Sequence, residues 1–286
     1  MIPAAFEYSR PSSLDEALRI IASNAEVKVL AGGQSLLPLL KLRLASAESL
    51  VDIGRLAELR GISAAGDGSL TIGALTTYRQ LLESEAAMRY ACLAEAVPHI
   101  ADIQVRNRGT VGGSVAHADP ASDLPAVLLA LDANIVVRSA KAERRIAATE
   151  FFTGPFQTAL SAGELVTAVV LPPPSGDLGS AYRQIAQPAS GYSIVGVAAV
   201  IGRAGGNVSS ASVAITGVGD VAYRASAVEK ALIGTDGSAA AITAAASHAT
   251  DGQTVASDIH ADAAYRAQMA SVYVRRAVEA ALSALG

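Results

Sequence analysis

Along the first half of the chain, short apolar runs alternate with turn residues. Ser13-Leu-Asp-Glu16 has the form of a capping box and predicts a helix running on through Ala17 to Ala22. Val27 to Leu30 reads as a short buried strand. It ends at Ala31-Gly32-Gly33-Gln34-Ser35, and Leu36 to Leu44 follows with Pro38 in the first turn of a helix, where proline is tolerated. The local pattern is strand, glycine turn, helix. Leu50 to Ile53 predicts another strand, and Gly61 to Ala65 with Leu70 to Ala74 predicts a hairpin around Gly66-Asp67-Gly68. A helical stretch is expected from Thr77 to about Val97.

Val105 to Asp123 reads as a turn-rich loop with Gly109, Gly112, Gly113 and Pro120, ahead of a helix from about Leu124 to Leu131. Strands are expected at Asn134 to Arg138 and Leu165 to Leu171. Pro172-Pro-Pro-Ser-Gly176 then breaks the pattern and suggests a domain boundary. Beyond it, Ala181 to Ala186, Ser193 to Ile201 and Val208 to Thr216 read as three strands. The chain is Ala-rich and helical from Ala225 on, and Tyr265, Met269, Val272 and Tyr273 fall on one face of a long final helix that we expect to be core.

Composition narrows the function. At 286 residues the chain exceeds a typical single domain, and 51% hydrophobic with 17% charged residues indicates a packed globule. A formal net charge of -4, with Lys and Arg scattered among carboxylates, argues against a nucleic-acid platform. The opening residues carry Pro3 and Glu7 where a secretory signal needs an apolar run, and no stretch is long and apolar enough to span a bilayer, so a cytoplasmic location is expected. The single Cys92 forbids an internal disulfide and cannot hold an iron–sulfur cluster; a buried apolar position suits it better. His99, His117, His248 and His260 match no metal-ligand spacing, so no metal is expected.

Two glycine segments carry the candidate chemistry. A nucleotide pyrophosphate is held by successive backbone N–H groups that a Cβ would obstruct, commonly beside a helix N-terminus. Ala31 to Ser35 and Gly109-Thr-Val-Gly-Gly-Ser114 could each do this, although either alone could be a structural turn. Neither has the G-x-G-x-x-G spacing of a dinucleotide turn, and no Walker A loop is present. Downstream, Asp119 before Pro120 could cap a helix or bind a ligand, whereas the carboxylate of Asp123 could accept hydrogen bonds from a sugar or ribityl hydroxyl. His117 has no nucleophile or second histidine near it in sequence and reads as structural.

The segments MIPAAFEYSRPSSLDEAL, AGGQSLLPLLKLRLA, RNRGTVGGSVAHADPASDLPA and YRAQMASVYVRRAVEAAL together resemble the FAD-binding medium subunits of the xanthine dehydrogenase and carbon monoxide dehydrogenase group. The likeness covers almost the whole chain. It implies an α+β protein: an N-terminal PCMH-type FAD-binding α/β domain over residues 1–175, with subdomains of about 1–54 and 55–175, then a domain of three-stranded antiparallel sheet plus helices over 176–286. By the same resemblance Ala31, Gly32, Gly33, Gln34 and Ser35 form the first FAD segment, and Thr110, Val111, Gly112, Gly113 and Ser114 the second, the two wrapping the pyrophosphate. Asp123 matches an acidic residue near the flavin's sugar chain, and Tyr192 a tyrosine beside the isoalloxazine ring. The chain departs from the group at Gln187 and Gly191, where a basic residue and an Asp are usual, which implies a changed flavin environment or acceptor.

The resemblance also implies a division of labour. FAD would be bound non-covalently here, while the molybdenum cofactor sits on a large subunit and two [2Fe-2S] clusters on a small one, the whole a dimer of heterotrimers. No residue of this chain is expected to be catalytic toward the organic or CO substrate. The alternatives are a free-standing FAD-dependent oxidoreductase, for which no substrate acid or base can be nominated, and a non-enzymatic nucleotide-binding assembly subunit. An NAD-dependent Rossmann enzyme lacks its fingerprint.

Overall fold

The computed structural model describes every residue except Met1, Ala25, Gly176 and Gly286, so the boundary expected at 175/176 lies at the edge of the described residues. The first unit is a parallel sheet. Strand β1 (Glu7–Ser9) leads to helix α1 (Leu14–Ser23), β2 (Val27–Leu30), α2 (Leu36–Lys41) and β3 (Ser49–Asp52), in the spatial order β1-β3-β2. Ser13 caps α1 by accepting the N–H of Glu16, as the motif predicts. The other half of the box is displaced by one residue: Glu16 accepts the N–H and hydroxyl of Ser12 at 2.7 and 2.8 Å. Leu14, Leu18, Val51, Ile53, Leu56 and Leu59 make this unit's core. Strand β2 is only partly buried, not the buried strand expected, because it forms an edge of the sheet.

The second unit begins with the expected hairpin, β4 (Ile62–Ala64) and β5 (Leu70–Gly73), closed by Gly68 N–H to Ala65 O at 3.0 Å. The single helix expected next is three short ones, α3 (Tyr78–Leu82), α4 (Glu85–Met88) and α5 (Ala91–Ala96). Ser84 accounts for the first break, since its hydroxyl accepts the N–H of Ala87 and restarts the helix as a new N-cap. The turn-rich loop expected over 105–123 is largely helical: α6 (Ile103–Arg108) and α7 (Val111–His117) precede α8 (Asp123–Ala130). Asp119 does not cap α8; its Oδ1 accepts the N–H of Ala121 at 2.9 Å in a turn, and Ser122 occupies the cap position.

From α8 the chain enters β6 (Asn134–Arg138), β7 (Glu143–Ala147), α9 (Ala148–Phe151), the pair β8 (Phe152–Gly154) and β9 (Gln157–Thr158), and β10 (Leu165–Leu171). The larger sheet runs β4-β5-β10-β6-β7, all antiparallel, with a bulge in β10 between Val166 and Ala168.

The third unit is an antiparallel meander of β11 (Leu178–Ala186), β12 (Ser193–Ala204), β13 (Asn207–Thr216) and β14 (Tyr223–Arg224), followed by α10 (Ser226–Leu232), α11 (Ala239–Ala246) and α12 (Ala263–Ser283). The three expected strands are present. The fourth is a two-residue edge, too short to show a period in sequence. Strand β12 is buried on both faces. Val195, Val197, Ala199 and Ile201 belong to the core shared with α12, whereas Ala198, with Ala214 of β13, joins the core of the second unit alongside Leu124 and Leu128 of α8. Two-residue alternation thus sends successive side chains of β12 to two different cores.

The seam of α12 is one residue away from the expected face. Arg266, Ala270, Val274, Ala277, Val278 and Ala281 are buried, while Tyr265 is exposed and Met269 and Tyr273 only flank the core. Among the described residues no helix is long and apolar enough to cross a membrane.

Candidate functional site

The loop leaving β2 and the loop leading into α7 meet face to face, because Gly32 has no side chain. A Cβ there would run into the carbonyl of Arg108 and stand 3.1 Å from the Cα of Gly109. Gly33 follows with φ +75°, a conformation that strains any residue with a Cβ. On the other side, Gly112 packs against Ala74 so closely that no Cβ fits, and this contact lets a Gly-Gly pair sit inside a helix against its propensity.

Between these loops and the β11–β12 connection lies a cavity of about 710 Å³, within the range of small-molecule sites, which is ~300–1,000 Å³. Ala31, Gly32, Gly33, Gln34, Ser35, Thr110, Gly112, Gly113, Ser114, Asp123 and Tyr192 all line it. Val111, the remaining expected site residue, does not: its side chain is buried in the core of the second unit.

The two loops differ in what they offer an anion. The N–H groups of Gly32, Gly33, Gln34 and Ser35 meet no acceptor among the described residues. In the second segment, Val111 N–H donates to Thr76 O (2.9 Å), Gly112 N–H to Ala74 O (2.8 Å), Gly113 N–H to the Thr110 hydroxyl oxygen (3.2 Å) and Ser114 N–H to Thr110 O (3.0 Å). Most backbone donors therefore come from the first loop; the second adds the N–H of Thr110, which meets no acceptor among the described residues, and the hydroxyls of Thr110 and Ser114. Ser114 Oγ lies 3.1 Å from Ser122 Oγ. Gln34 turns its amide onto Gly32 O at 3.1 Å, which stiffens the first loop.

Asp123 is nearly fully buried at the start of α8, and its Oδ1 accepts the hydroxyls of Tyr182 and Ser193, each at 2.5 Å. Burial pushes its carboxyl up to about 6, against the pull of the Ser193 and Tyr182 hydrogen bonds. Tyr192 is half exposed, and partial burial followed by the nearby Asp119 carboxylate raises its phenol. Gln187 and Gly191 belong to one tight turn: Gln187 Oε1 accepts the N–H and hydroxyl of Ser190 at 2.5 and 2.7 Å, and Gly191 N–H donates to Gln187 O at 2.9 Å.

Sequence reasoning missed several wall residues. Tyr78, on α3, lines the cavity with its phenol raised by burial, and its ring packs on Gly109. Its position in a helical apolar run reads as core, and nothing in the sequence separates it from core. Ser122, Glu164 and the Ile100–Asp102 turn also reach the cavity. Glu164 is held by Arg144 at 2.8 Å, the main cause of its lowered carboxyl. His117 lies on the wall, its ring 5.1 Å from that of Phe156 and its Nε2 3.8 Å from Asp119 Oδ2. Cys92 is buried, with its thiol pushed up to about 12 by burial. No three His, Cys, Asp or Glu side chains among the described residues converge as metal ligands.

This geometry coincides with two family models. Residues 4–174 match the FAD binding domain in molybdopterin dehydrogenase, and residues 180–281 match the CO dehydrogenase flavoprotein C-terminal domain. The chain belongs to the FAD-binding subunits of the molybdopterin dehydrogenases. It is 38% identical over 283 residues to the carbon monoxide dehydrogenase medium chain of Hydrogenophaga pseudoflava, covering 98% of each chain. It is 41% identical over 235 residues to the glyceraldehyde dehydrogenase medium chain of Sulfolobus acidocaldarius, covering 82% of this chain and 83% of that one. Among solved structures it superposes on a carbon monoxide dehydrogenase from Hydrogenophaga pseudoflava with TM-score 0.96 at 40% identity, covering 99% of both chains. Quinoline 2-oxidoreductase from Pseudomonas putida 86 gives TM-score 0.92 at 34% identity, covering all of both chains. FAD fits the residues present: four free N–H groups on a glycine loop suit a pyrophosphate, in a cavity of the right scale. As a member of this family the chain is part of an oxidoreductase.

Proposed function

We propose that the chain is the electron-transfer subunit of a heteromeric molybdenum hydroxylase or carbon monoxide dehydrogenase, assembled with a large molybdenum-cofactor subunit and a small iron–sulfur subunit. In that complex electrons from the small subunit's clusters pass through this chain to an external acceptor. The observation that carries the reading is the cavity closed by both glycine loops, with the free N–H groups of Gly32 to Ser35 on one wall. When bound there, FAD supplies the redox chemistry, and the protein supplies position and electrostatics.

Within the site, the N–H groups of Gly32 to Ser35 hold the pyrophosphate, aided by the Thr110 and Ser114 hydroxyls. Ala31, Val111, Gly112 and Gly113 set the backbone that allows this approach. Asp123 accepts a hydroxyl of the sugar chain, and Tyr192 stands beside the ring system. A chain with one cysteine cannot itself bind iron–sulfur clusters, which assigns them to a partner. Chains of 34 to 41% identity to this one belong to enzymes named for carbon monoxide, glyceraldehyde and quinoline, so the substrate is set by another polypeptide.

The test is reconstitution. The isolated chain should be yellow, should release its flavin on acid precipitation, and should stay oxidised under anaerobic carbon monoxide, glyceraldehyde or quinoline. Adding large and small subunits from the native source should restore flavin reduction by one of the three. Reduction by the isolated chain at the rate of the complex would replace this reading with the free-standing oxidoreductase, and a colourless native protein would favour the assembly subunit.

A further inference from the structure

Asp123 stands on the first turn of α8, where an unrestrained carboxylate would turn toward the exposed N–H groups of its own helix. It is instead tied from outside. Both hydroxyls on Oδ1 come from the third unit, Tyr182 from the middle of β11 and Ser193 from the first position of β12. Both residues are buried, and neither lines the cavity, so whatever they do there they do through Asp123. No other residue among those described donates to the second carboxylate oxygen, and Asp123 is part of the cavity wall.

The surroundings are built for this contact. Gly196, paired with Gln184 across the strands, leaves the space that the Tyr182 hydroxyl occupies; a Cβ there would collide with it and stand 2.9 Å from Ser193 Oγ. Ser193 Oγ also lies 2.5 Å from the Gln184 side-chain amide. A serine has one proton, so when that proton goes to Asp123 the Gln184 amide must present its nitrogen. The same end of the sheet grips the preceding loop: Ser193 N–H donates to Ala121 O at 3.3 Å, and Thr216 Oγ1 lies 2.8 Å from the carbonyls of Pro120 and Ser122. Behind it, Arg266 of α12 donates to Ile194 O and Gly217 O.

We propose that Tyr182 and Ser193 are positioning residues of the flavin site, holding the Asp123 carboxylate so that its free oxygen faces the cofactor's sugar chain. The inference rests on the reading of Asp123 given above. It makes the third unit a working half of the site, through two residues that never touch the ligand.

A double-mutant cycle on the full-length, flavin-stripped chain tests it, with the Kd for FAD read from the quenching of flavin fluorescence. Tyr182→Phe removes one hydrogen bond to a charged group and should weaken FAD about tenfold. Asp123→Asn should weaken it at least as much. In the Asp123→Asn background, Tyr182→Phe should add less than about threefold, because the group it positions is gone. If Asp123→Asn weakens FAD and Tyr182→Phe does not, the positioning role falls while the reading of Asp123 stands. If Asp123→Asn leaves the Kd unchanged, both fall. An equal loss from Tyr182→Phe in both backgrounds would make Tyr182 merely structural and overturn the proposal. Should Tyr182→Phe fail to fold, Ser193→Ala takes its place in the same cycle with the same expected pattern.

Discussion

A carboxylate that accepts two hydroxyls ordinarily titrates below its usual range, and Asp123 does the opposite because burial outweighs both bonds. The sign of the consequence is fixed. The folded chain holds this proton more tightly than the unfolded chain does, about 6 against 3.8. The stabilisation from this group is therefore complete below about pH 3.8 and is lost as pH rises through about 6. We expect the flavin-free chain to lose on the order of 2 kcal/mol relative to Asp123→Asn between pH 4 and pH 7. Urea unfolding of both proteins across that range measures the difference, in which all other titrating groups cancel to first order. A difference independent of pH would show that the carboxyl is not shifted upward.

At the scale of elements, the sequence was informative wherever local chemistry decides the backbone. Ser13, Pro38 and the Gly66-Asp67-Gly68 turn each act on their own neighbours, and α1, α2 and the β4–β5 hairpin lie where those residues place them. It was silent where distant packing decides. The Gly112–Gly113 pair reads as a loop and is helix, because contact with Ala74 sets it. Tyr182 and Ser193 read as ordinary strand residues, since nothing local marks a hydroxyl aimed at Asp123, 59 and 70 positions away. Of the site, both glycine segments and Asp123 were legible in the residues themselves and Tyr192 by resemblance, and all of these but Val111 line one cavity; Tyr78 was not legible.

The seam of α12 belongs to the same lesson. Large side chains at Tyr265, Met269 and Tyr273 draw the eye to one face, yet the helix approaches the sheet through alanines one residue away, close enough that Gly179 of β11 sits against Ala281. Ala277→Leu should therefore overpack the seam and lower stability by about 1–3 kcal/mol. Tyr265→Ala, on the exposed side, should change it by less than about 0.5 kcal/mol. Thermal unfolding of the two variants checks the assignment, and the reverse order would restore the face expected from sequence.

For the molecule as a whole, the division into units is less clean than the family models drawn along the chain suggest. The core containing Leu93, Leu124, Leu128 and Leu171 also takes in Tyr182, Ala198, Ala214 and Ala222 from the third unit. A fragment of residues 1–175 would expose the apolar faces of α5 and α8 that this sheet covers and would lack the Asp123 clamp. We expect it to associate in gel filtration and to bind no FAD in a fluorescence titration. A monodisperse fragment with wild-type affinity would show that the third unit is dispensable to the site.

The close seating of Gly32 on the backbone of Arg108 and Gly109, followed by the tie from Asp123 to Ser193, also orders events during protein synthesis. The first wall of the cavity leaves the ribosome long before the clamp does. At ~5–20 residues per second, Ser193 follows Gly33 by roughly 10–30 s. For that interval the nascent chain carries the glycine loops without the Ser193 tie, so the cavity wall is completed only after Ser193 has emerged.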